Sequence, residues 1–86
     1  MLQVRGRDVL LVQLERHIAR LLMVNFERNE ITVREGDTFE EALRLMDERL
    51  PSTVIVENQD VKKAIELSFP GATFEFIVLD GHRRPM

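Results

Sequence analysis

Thr53-Val-Ile-Val-Glu57, then Asn58 to Phe69, then Pro70-Gly71, then Thr73-Phe-Glu-Phe-Ile-Val-Leu79 is the stretch whose reading decides the fold. Thr53–Glu57 is β-branched and almost continuously apolar, as a strand buried on both faces should be. Asn58 is suited to cap a helix over Gln59–Phe69, where Val61, Ala64, Ile65 and Phe69 recur on one side. Pro70-Gly71 stops that helix, and Thr73–Leu79 is again rich in strand formers. A crossover of about 15 residues that contains a helix is what two parallel strands need. The stretch therefore predicts a parallel strand–helix–strand unit.

Upstream, Gly36-Asp37-Thr38 breaks a strand and opens a second helix. Both Asp37-x-x-Glu40 and Thr38-x-x-Glu41 have capping-box spacing. Phe39, Ala42, Leu43, Met46 and Leu50 form one apolar stripe, and Pro51 ends the helix. Met23–Arg28 and Ile31–Glu35 each alternate apolar and polar residues, which predicts a β-hairpin turning at Asn29-Glu30. Further back, Val9–Met23 contains no Gly or Pro and fits helical spacing at Val9, Leu10, Leu14, Ile18, Leu21 and Leu22, with Asp8 as N-cap. Leu10, Val12 and Leu14 also alternate, so a strand over 9–14 competes with that helix. Leu2–Arg5 is a candidate short strand interrupted by Gly6. The expectation is an α+β fold: a mixed sheet of four to five strands with two or three helices, in the order (β)αββαβαβ, ending in a parallel βαβ unit.

The 86 residues fit a single domain with a modest core. An apolar share of 44% beside 31% charged argues for a folded chain rather than a disordered one. The absence of cysteine excludes disulfides, thiolate metal sites and a cysteine nucleophile. No signal-peptide pattern is present, and the apolar runs Val9–Val12 and Leu21–Val24 are far too short to span a membrane, so a cytoplasmic location is expected. The net charge of −3, and aromatics that are all Phe, disfavour nucleic acid as a partner.

Groups for chemistry are few. The two histidines, His17 and His82, match no paired metal-ligand or triad pattern, and no Gly-rich phosphate loop or nucleophile elbow occurs. The chain is therefore not expected to be an enzyme. If the last two strands are parallel neighbours, their carboxyl ends place Glu57, Asp60 and Asp80 together, a hard-oxygen set of the kind that takes Mg²⁺ or Ca²⁺. The same residues also suit helix starts and turns for backbone reasons alone. Glu57, Asp60 and Asp80-Gly81-His82 resemble in part the acidic positions of Toprim domains, which place Glu-Gly after one strand and Asp-x-Asp after another. Asn58 stands here at the glycine and His82 at the second aspartate, departures that leave the family unassigned. Arg5 and Arg7 near one end, and Arg83 and Arg84 near the other, are candidates for an anion or nucleic-acid backbone.

Three functions follow in order. The first is a small non-enzymatic binding or assembly module, homodimeric or docked on a protein partner, because Val9–Phe26 holds more apolar residues than one helix face needs. The second is a divalent-metal-binding domain using Glu57, Asp60 and Asp80. The third is a weak nucleic-acid binder using the terminal arginines.

Overall fold

The computed structural model of the protein describes residues 6–79. Seven elements alternate: β1 (Asp8–Val12), α1 (Arg16–Arg28), β2 (Thr32–Gly36), α2 (Phe39–Glu48), β3 (Thr53–Val56), α3 (Gln59–Ser68) and β4 (Glu75–Val78). The four strands form one sheet in the order β2-β1-β3-β4, and every neighbouring pair is parallel. The fold is thus α/β with the order βαβαβαβ, and its last three elements are the parallel strand–helix–strand unit expected from sequence.

Alternation along the central strands sorts the core into two layers. Leu10, Val12, Val54 and Val56 face α2 and α3, where Ala42, Met46 and Ile65 are buried against them. Val9, Leu11 and Ile55 face the other way, onto Ala19 and Phe26 of α1. A strand covered on both faces needs apolar residues at every position, which is why Val9–Val12 and Val54–Val56 are unbroken apolar runs with no exposed surface.

That requirement corrects the expectation for the first third of the chain. Val9–Val12 is a strand, as the competing reading of residues 9–14 has it, and not the start of a helix. Gln13, at φ 53°, ends it in the left-handed region, and the helix begins only after Glu15. The hairpin is corrected too. Met23–Arg28 forms the last turns of α1, and among the described residues the sheet is parallel rather than mixed. The alternation of Val24 and Phe26 misleads because in a helix these two lie on different sides: Phe26 is buried and Val24 exposed.

What resembled a hairpin turn is a helix terminus. The N–H of Glu30 donates to Glu27 O and that of Ile31 to Phe26 O, the paired bonds of a Schellman motif, with Glu30 at φ 62° where glycine is commonest. Ile31 packs in the same apolar cluster as Phe26, the contact that usually accompanies this motif. The candidate strand at Leu2–Arg5 lies outside the described residues.

The other helix boundaries follow the caps. Thr38 Oγ1 accepts from the N–H of Glu41, so of the two possible frames the helix takes the later one. Asn58 Oδ1 accepts from the N–H of Val61 in the same way. The carboxyl end of α2 is tied to the sheet by Arg34, whose guanidinium donates to Leu45 O (2.9 Å) and Arg49 O (2.8 Å). Asp8 at the start of β1 accepts from both Arg34 (3.3 Å) and Arg49 (2.8 Å). One arginine on β2 thus holds two carbonyls at the end of α2, that of Leu45, which also accepts from the N–H of Arg49, and that of Arg49, the residue that caps the helix.

Candidate functional site

β1 is joined to β2 through α1 on one face, and β2 to β3 through α2 on the other, so the chain changes winding direction between β1 and β3. In open α/β sheets this switch point, at the carboxyl ends of the strands, is the customary place for ligands. Here it is bordered by Gln13–Glu15 after β1 and by Glu57-Asn58 after β3.

Glu15 spends its carboxylate on α1. It accepts from the N–H of His17 (3.1 Å) and of Ile18 (3.3 Å), and Nδ1 of His17 lies 3.0 Å from its other oxygen. The side-chain hydrogen bond from His17 holds the Glu15 carboxyl below its ordinary pKa, outweighing an opposing desolvation, with the backbone donors of Ile18 and His17 adding to the lowering. A carboxyl lowered in the fold contributes to stability above the ordinary carboxylate range, and that contribution disappears as pH falls through the lowered value. Both side chains are largely exposed, which marks the pair as a helix cap rather than an enclosed acid–base site.

Of the expected metal ligands, Glu57 follows β3 directly and is half-buried, while Asp60 is exposed in the first turn of α3. The strands beside them are parallel neighbours: Val56 is level with Val78, and Leu79 N–H donates to Val56 O at 2.9 Å. Asp80 lies outside the described residues, so the three-residue set is represented by two members. Among the described residues, no three His, Cys, Asp or Glu side chains gather as a metal site. Asn58, at the same edge, is engaged in capping α3. Of the arginines expected to bind anions, only Arg7 falls among the described residues. It is exposed just before β1, on the amino edge of the sheet and therefore opposite Glu57. Arg5, Arg83 and Arg84 lie outside.

The more developed surface feature lies along α1. The other face of the sheet carries α2 and α3, but α1 is the only described helix on its own face. It leaves Ile18 39%, Leu21 65% and Val24 49% exposed. Between α1 and the carboxyl end of the edge strand β2 runs an open groove of about 580 Å³, bordered by Arg16, Arg20, Met23, Val24, Glu35 and Asp37. None of its charged residues forms an ion pair among the described residues. Sequence reasoning caught the surplus of apolar residues in Val9–Phe26 but not its division. Val9–Val12 went into the sheet, and Ile18, Leu21 and Val24 stayed at the surface. No described helix is long and apolar enough to cross a membrane. No protein-family model, no curated protein and no solved structure matches the chain.

Proposed function

We propose that this protein is a small non-enzymatic assembly module that docks on a protein surface, a second copy of itself in the first instance, through the outer side of α1. The observation that carries this reading is the exposure of Ile18, Leu21 and Val24 on the one described helix covering its face of a four-stranded sheet. Three large apolar side chains at helical spacing on one element are more than the scattered exposure ordinary surfaces show. A chain of this size also gains proportionally much from burying further apolar area by association. Sedimentation over a wide concentration range tests the reading. The expected result is a mass that rises above the 10.0 kDa of one chain as concentration increases. A species that stays at 10.0 kDa at every concentration would remove self-association.

A second reading, a divalent cation held by Glu57, Asp60 and Asp80, is favoured by one observation, the parallel adjacency of β3 and β4 with their carboxyl ends level. Calorimetric titration with Mg²⁺ and Ca²⁺ tests it. Binding heat together with a rise in melting temperature, both lost in Glu57→Gln, is the expected outcome. Titrations without heat would eliminate it.

A further inference from the structure

Along the flank that borders β2, α1 carries its charges in a polarised order. Arg16 and Arg20 occupy the first turns, Met23 and Val24 the middle, and Glu27 the last turn, and all five line the groove. Spacings of three and four residues keep them on one side of the helix. Leu21 stands on the exposed crest next to Val24. Arg16, Arg20 and Glu27 make no ion pair among the described residues, although Glu35 and Asp37 border the groove from β2.

Such a strip, cationic at one end, apolar in the middle and anionic at the other, with Arg28 of the last turn on the side of Val24 rather than of Glu27, is complementary to itself when reversed. Laid antiparallel on a second α1, Arg16 meets Glu27 at each end, and Arg20 extends its aliphatic stem over Met23 and Val24. Laid parallel, it opposes Arg16 to Arg16 and Glu27 to Glu27, which is repulsive. A two-fold axis produces the antiparallel arrangement and repeats every contact twice, the commonest symmetry of soluble oligomers.

We propose that the partner of this protein is a second copy of the chain, docked antiparallel on α1 beside β2. Arg16 of each copy pairs with Glu27 of the other around a centre of Leu21 and Val24. This inference rests on the assembly reading above and names its partner and geometry. The two ion pairs lie at the rim, so they select the orientation, while the apolar centre supplies most of the affinity.

Charge reversal tests it. Sedimentation equilibrium is measured for the unaltered protein, Arg16→Glu, Glu27→Arg and the double variant, with circular dichroism to confirm that each is folded. Both residues are exposed, so folding should survive. Each single reversal sets like charges together at both ends of the interface and should weaken dimerisation roughly ten- to a hundredfold. The double variant should return to within a few-fold of the original, and an equimolar mixture of the two single variants should form a heterodimer. High salt should reduce these differences. A dimer indifferent to both single reversals, or one the double variant fails to restore, overturns the antiparallel α1 interface and leaves the assembly reading standing. A strict monomer overturns both this interface and the self-association on which it rests.

Discussion

Ile55→Ala is expected to lower the free energy of unfolding by roughly 3–4 kcal/mol, read as a lower urea midpoint at unchanged slope. Ile55 is the middle of β3, has no exposed surface and is flanked in register by Leu11 of β1 and Ile77 of β4. It packs with Val9, Leu11, Ala19 and Phe26 beneath α1. Truncation removes the transfer free energy of three carbon atoms and leaves a cavity that neighbours paired in the sheet cannot close. At about 0.1 kcal/mol of stability per residue, such a loss takes a third or more of the total, equivalent to a fall in melting temperature of roughly 15 °C. Leu21→Ala is the contrasting control. Leu21 is 65% exposed, so in the monomer its truncation should change stability by no more than about 0.5 kcal/mol. A loss under 1 kcal/mol at Ile55 would be incompatible with β3 as a doubly covered strand.

Gly36→Ala is expected to cost about 2–3 kcal/mol by the opposite mechanism, overpacking. A Cβ at Gly36 would lie 2.7 Å from Ala42 Cα and 2.8 Å from both its Cβ and its backbone nitrogen. Those atoms belong to the first turn of α2, so no side-chain rotation relieves the clash and the helix must move off the strand. Gly36 O also accepts from the N–H of Gln13, the residue in left-handed conformation that ends β1. Displacing Gly36 therefore strains two loops at the carboxyl edge together. Adding Ala42→Gly should not restore stability, because it removes only one of the three close atoms and weakens the helix by about 1 kcal/mol. Gly71 separates this effect from glycine conformation. It has φ 93° and nothing within 4 Å of an added Cβ, so Gly71→Ala should cost only about 1–2 kcal/mol of backbone strain. Thermal unfolding of the three variants checks the ranking. Equal losses at Gly36 and Gly71 would refute the close approach of α2.

The second half of the chain was legible because its signals are local. Thr38 and Asn58 cap through their own side chains, Pro51 and Pro70 follow helix ends, and Thr53–Val56 has strand composition at strand length. Of the α2 stripe, Ala42 and Met46 are buried and Phe39 packs against the same cluster, but Leu45 rather than Leu43 joins it, and Leu50 lies past the end of the helix and is 49% exposed. Glu57 and Asp60 stand just after β3 and in the first turn of α3, and the length of the crossover implies that β3 and β4 run parallel, whereas their adjacency is decided only in the sheet.

The first half was not legible in the same way. A run such as Val9-Leu10-Leu11-Val12 suits a helix or a doubly covered strand equally, since both bury apolar residues and neither shows alternation. The role of Arg34 was invisible for a different reason. Its partners, Asp8, Leu45 and Arg49, are 26, 11 and 15 residues away, and nothing local marks a side chain that will close the end of a distant helix. The groove beside α1 has no signature in the sequence, because a helical pattern says which side is apolar, not which sides neighbouring elements leave uncovered.

By itself, the sequence determined what short-range chemistry can determine: the capped helices α2 and α3, the strands β3 and β4 they connect, and the lack of cysteine chemistry. Only the tertiary structure decided that residues 8–12 are a strand, that residues 23–28 finish a helix, and that all four strands run parallel. It also decided that Ile18, Leu21 and Val24 remain in water. The physical reason is that burial is a property of the assembled layers. Whether an apolar residue becomes core or contact surface depends on which elements arrive to cover it, and over α1 no other described element does.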